Sequence, residues 1–188
     1  MMKRPAPRQR SHRPGTSQCG TDDVEGAEMT SEATIAIDDF RSAFLILLQE
    51  VFVGGGEQDF VLDSGTSLIE TLRGISAAEA SVAVSGRTAS IAAQVNHTAV
   101  YLEAIAAGPG TKVDWDASWT DVTEVDDAAW EGLIVRVETA MASIKHFASE
   151  FAGWDGVYLG GAMALIVHTA YHLGEIRTSI GVLRERNA

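Results

Sequence analysis

The chain has 188 residues, 46% of them hydrophobic, and a formal net charge of -12. That length suits one domain with a sizeable core. The acidic balance argues against a nucleic-acid partner, which needs a basic face to neutralise phosphates, and equally against an anionic membrane surface.

Residues 1–28 differ from the rest. They hold Lys3, Arg4, Arg8, Arg10 and Arg13, three of the four prolines (Pro5, Pro7, Pro14) and the single cysteine, Cys19. Large apolar side chains are nearly absent there, so little surface could be buried against the entropy of ordering. The segment is expected to be a disordered extension, with the folded domain spanning 29–188. Its prolines fall where the apolar stretch of a signal peptide would begin, and one cysteine allows no internal disulfide. A cytoplasmic protein is the expectation.

Beyond Ser31 the apolar spacing is helical. Phe40, Phe44, Leu47, Leu48 and Val51 recur at steps of three and four, and Gly54-Gly55-Gly56 ends that helix. Two capping-box patterns follow, Ser67-x-x-Glu70 and Ser76-x-x-Glu79, marking short helical turns across the connection. A second long helix is expected from an N-cap near Thr88 to Ala107, with Ile91, Val95, Thr98, Leu102 and Ile105 as its stripe. Gly108-Pro109-Gly110 stops it.

The stretch Thr111 to Val125, with Trp115 and Trp119 among acidic and hydroxyl residues, is expected to be a loop, and Asp114, Asp116 and Asp121 to be solvated. A third helix runs from about Asp126, carrying Trp130, Ile134, Val137, Met141, Ile144, Ala148 and Phe151. Gly153-Trp154-Asp155-Gly156 separates it from a fourth, about Tyr158 to Arg184, with Ile166, Thr169, Leu173, Ile176, Ile180 and Leu183 on one stripe. Its apolar run around Ala162 to Val167 is about half of what a bilayer needs. No alternating strand pattern appears. Four amphipathic helices of about 20–27 residues, with a long connection after the first, predict an all-α four-helix bundle.

The chemistry lies in the histidines. His168 and His172 are four apart on the fourth helix and therefore share a face, in a row with Leu165, Glu175 and Ser179 that borders the apolar stripe. His97 on the second helix shares its face with Ser90, Ala93, Tyr101 and Ala104, mostly small neighbours that leave room beside the imidazole. His146 projects away from the core, and His12 lies in the extension. Three histidines can therefore converge. Three protein ligands leave a coordination position open, as in catalytic zinc sites; three separately hydrogen-bonded core histidines are the alternative on spacing alone.

Three segments also carry a resemblance: Leu68-Ile-Glu-Thr-Leu-Arg-Gly-Ile-Ser-Ala-Ala-Glu79, Thr88-Ala-Ser-Ile-Ala-Ala-Gln-Val-Asn-His97 and His168-Thr-Ala-Tyr-His-Leu-Gly-Glu-Ile-Arg177. Together, over residues 33 to 185, they resemble the DinB-like superfamily of metal-binding bundles, which includes bacillithiol transferases and mycothiol-dependent maleylpyruvate isomerases. The resemblance implies His97, His168 and His172 as ligands of a divalent metal, with zinc or nickel suited to imidazole. It implies transfer of a low-molecular-weight thiol such as mycothiol to a small-molecule substrate, and a homodimer. Many members have glutamine where this chain has Glu175, which is read as a group orienting a ligand imidazole, as a general base for metal-bound water, or as a solvated carboxylate.

A metal-dependent hydrolase is the second functional expectation, and a non-catalytic metal-binding or dimerisation bundle the third. Arg73 and Arg177 are candidate anion anchors. Trp115, Trp119, Trp154, Tyr101 and Tyr171 are candidate pocket aromatics. No phosphate-binding loop, calcium loop or cysteine nucleophile is present in the folded part.

Overall fold

A computed structural model describes residues 34–56 and 60–188, and the expectation for residues 1–28 lies outside them. Among the described residues the chain is all-α, with seven helices: α1 (Ile37–Phe52), α2 (Leu68–Arg73), α3 (Ala77–Ala80), α4 (Ile91–Ala107), α5 (Trp115–Thr120), α6 (Asp127–Glu150) and α7 (Gly156–Arg186). The one β feature is an isolated bridge between Ala83 and Ser90. No helix among these residues is long and apolar enough to cross a membrane.

The four long helices are those expected, with shifted ends. α4 begins at Ser90, not Thr88: the Ser90 hydroxyl accepts from Ala93 N, while Thr88 Oγ1 closes the preceding turn by accepting from Ser85 N. α7 starts at Gly156 because Asp155 accepts from the backbone of both Val157 and Tyr158. α1 and α4, of 16 and 17 residues, are shorter than expected, and α7, of 31, is longer. Both capping boxes form, at Ser67/Glu70 and Ser76/Glu79.

Each of α1 and α4 packs against both α6 and α7. α4 is the innermost element. Every residue from Ser90 to Ala99 is buried, because α3, α5, α6 and α7 all pack on this helix. Ile105, assigned to its stripe from sequence, is exposed near the C-terminal end of the helix. On α7 the stripe residues Ile166, Thr169, Leu173, Ile176 and Leu183 are buried as their spacing predicts, while Ile180 is only half-buried.

The α4–α6 connection is not a plain loop. α5 forms within it, with the Asp114 side chain accepting from Ala117 N as N-cap. Its return is tied down at two points: the Ser90 hydroxyl donates to Thr123 O at 2.7 Å, and Val125 N donates to Ser81 Oγ at 2.9 Å. These bonds hold α5 against α4. That places its side chains over the face carrying His97.

Candidate metal centre

His97, His168 and His172 converge. Each offers a ring nitrogen, and these three atoms lie within 4.8 Å of one another. The ring centroids are 5.3 Å apart for His97 and His168, 5.1 Å for His97 and His172, and 4.5 Å for His168 and His172. A tetrahedral zinc with Zn–N bonds of about 2.0–2.1 Å holds its ligand nitrogens about 3.4 Å apart.

The donor chemistry fits a cation. His97 and His172 are buried and His168 is half-buried. His168 Nδ1 and His172 Nδ1 are shielded from solvent and lack a hydrogen-bond partner. Buried polar atoms without partners are costly, so His168 and His172 are not satisfied by hydrogen bonds within the protein alone. All three imidazoles are biased toward the neutral, metal-binding form. Burial pushes the His168 pKa down to about 4, assisted by repulsion from His172 and His97. Burial and then His172 lower His97; burial lowers His172, against the opposing charge of Glu175.

Aromatic side chains enclose the cluster. Trp119 stacks on the His97 ring at 4.0 Å and 18°. Tyr101 stacks on His168 at 3.9 Å and 20°. Trp115 and Tyr171, both largely exposed, form the outer rim beside His97 and His172 respectively. Four of the five candidate pocket aromatics therefore gather here. The fifth, Trp154, packs with Phe40, Phe44 and Phe151 instead.

Glu175 stands behind His172. Its Oε2 is 3.4 Å from His172 Nδ1, within ion-pair range but without hydrogen-bond alignment, and its Oε1 accepts from the Tyr171 hydroxyl at 2.8 Å. Among the described residues no carboxylate joins the three-histidine group. Arg73 is occupied elsewhere, by Glu138 at 2.8 Å and Glu131 at 3.7 Å, and Arg177 is exposed. His146 is exposed on α6, as its position on that helix predicts.

One contact escaped the sequence. His97 Nδ1 and Ser118 Oγ are 2.7 Å apart, and the same hydroxyl donates to Trp115 O at 2.6 Å. Ser118 lies on α5, within the segment expected to be loop, and no periodicity links it to His97. The only available signal was Asp114 as a helix cap. A separate shallow groove of about 600 Å³, lined in part by Asn96, Glu103, Ser118, Asp121 and Arg136, includes none of the three histidines.

Compared with protein-family models, curated proteins and solved structures, the chain matches none.

Proposed function

We propose that this chain is a DinB-like four-helix bundle that holds one divalent cation, zinc or nickel, on His97, His168 and His172. Its activity on this reading is transfer of a low-molecular-weight thiol to a small electrophile. The observation that carries the metal assignment is the meeting of three imidazoles from α4 and α7, two buried and one half-buried, with ring nitrogens within 4.8 Å of one another. The packing of α1 and α4 each between α6 and α7 supports the bundle.

A bound divalent cation would supply Lewis acidity, lowering the pKa of a coordinated thiol or water toward neutrality. The residues do the remainder. The imidazoles bind in their neutral form. Trp119 and Tyr101, stacked on two of the rings, exclude water from those faces and fix the ring planes. Tyr171 and Trp115 leave an apolar rim at the exposed side, suited to the carbon skeleton of an organic substrate. Glu175 lies beside His172 Nδ1, accepts from Tyr171 and stands outside the three-histidine group, which favours an open coordination position over a closed structural site.

The test is elemental analysis of untagged protein beside His97→Ala and His168→Ala. About one equivalent of zinc or nickel in the parent, lost in both variants, is expected for one site built from two helices. Metal-loaded protein is then assayed with mycothiol or bacillithiol plus electrophiles, and with ester and amide substrates without thiol. Turnover only in the thiol arm supports the transferase; turnover only in the second arm replaces it with a hydrolase. A parent that stays metal-free after reconstitution at neutral pH sinks the assignment.

A further inference from the structure

We infer that Ser118 fixes the tautomer of His97, holding the proton on Nδ1 so that the Nε2 lone pair is presented to the three-histidine centre. A serine hydroxyl has one proton to donate and two lone pairs to accept with. Ser118 Oγ makes two short contacts, 2.6 Å to Trp115 O and 2.7 Å to His97 Nδ1. The carbonyl oxygen can only accept, so the hydroxyl proton lies on that contact. Were the proton turned toward His97, two oxygens would face each other at 2.6 Å with nothing between them. The second contact is then a hydrogen bond only if His97 Nδ1–H donates to Ser118 Oγ. In the neutral ring Nε2 is left as the acceptor.

The hydroxyl is itself held in place. Ser118 is 3% exposed, and its backbone carbonyl accepts from Asn96 Nδ2 at 2.9 Å. Asn96 Oδ1 in turn accepts from Arg136, whose guanidinium grips both carboxylate oxygens of Glu103 at 2.8 Å. The run Glu103–Arg136–Asn96 docks α5 onto the helix that carries His97, one residue away from it. Trp119, next to Ser118, clamps the same imidazole from its face. α5 thus controls both the plane and the protonation pattern of one ligand. Ser118 is a positioning residue, and this role rests on the proposed three-histidine centre.

The experiment uses the full-length, metal-free protein labelled with ¹⁵N-histidine, at a pH where the imidazoles are neutral. Long-range ¹H–¹⁵N spectra report which nitrogen carries the proton, with His97 assigned by comparison with His97→Gln. The expected result is Nδ1–H in the parent, a change toward Nε2–H in Ser118→Ala, and return to Nδ1–H in Ser118→Thr. Zinc affinity, measured by chelator competition, should fall about 10- to 100-fold in Ser118→Ala and recover in Ser118→Thr. An Nε2–H parent, or an unchanged His97 spectrum in Ser118→Ala, overturns the inference; so does unaltered zinc affinity in a variant whose tautomer has changed. Because the spectra need no metal, a parent with Nδ1–H that binds no zinc sinks the proposed metal centre while leaving the tautomer assignment standing.

Discussion

Glu175 bridges a buried ring and an exposed one: one carboxylate oxygen lies 3.4 Å from His172 Nδ1, and the other accepts from the Tyr171 hydroxyl at 2.8 Å. The carboxylate opposes the downward shift that burial imposes on His172 and raises the Tyr171 phenol. Glu175→Gln keeps the shape and removes the charge. The variant should titrate Tyr171 at a lower pH by ultraviolet absorbance and bind zinc about 10-fold more weakly, as loss of a carboxylate behind a ligand imidazole generally does. Complete loss of zinc binding would instead make Glu175 a direct ligand.

Metal should stabilise the fold, because the site exists only when α4 and α7 are packed. At zinc concentrations about a hundred times Kd the linkage amounts to about 2.7 kcal/mol. For a domain of this size that corresponds to a rise in Tm of roughly 5–10 °C. Thermal melts with zinc and with chelator should differ by this margin in the parent. They should coincide in His97→Ala.

Acid should destabilise the metal-free protein in a defined window. The folded-state pKa values of His97, His168 and His172 are all depressed, so the unfolded chain takes up protons more readily than the folded one. The stability held while the imidazoles are neutral is complete above the ordinary value of 6.5. It is lost as pH falls through that value toward about 4, the His168 limit. Urea midpoints measured across that range should fall with pH, and less steeply in His168→Gln. A flat profile in the parent would show that the imidazoles protonate freely and are not buried together.

Gly54 offers a test of the fold away from the site. Its φ is +75°, and an added Cβ would come within 2.7 Å of Glu70 Oε2, the carboxylate of the Ser67 capping box. Gly54→Ala should cost about 1–3 kcal/mol in denaturant unfolding. At Gly110, also at positive φ but in open space, the same change should cost about 1 kcal/mol. Equal losses would remove the contact with Glu70 from the account.

Periodicity made the four long helices legible, since Phe44, Leu48, Ile134, Val137, Leu173 and Ile176 all reach the core at helical spacing. The three histidines were legible for the same reason: position on a turn predicts which face a residue shares. What spacing could not carry was anything set by the α4–α6 connection. Six residues of α5 contain less than two turns, too few for a periodic signal, and the Ser118–His97 contact joins residues 21 apart on different helices. The helix ends shifted where a competing hydroxyl was available, as with Thr88 and Ser90.

The wall of the site and the floor of the site obey different constraints. The floor, α4 and α7, is locked into the core on several sides, so substitutions there are paid in stability. The wall is α5, a short segment tethered at Ser81 and Ser90 and outside every helical stripe. Two of its tethers are backbone bonds at Thr123 and Val125, which side-chain changes within α5 leave intact, and a third runs from Asn96 to the Ser118 carbonyl. The exposed positions Lys112, Asp116 and Thr120 can therefore change at little cost to the fold, whereas Ser118 and Trp119 are held by their contacts with His97. Substitutions at those positions would reshape the wall beside the histidines while leaving the helices beneath it as they are.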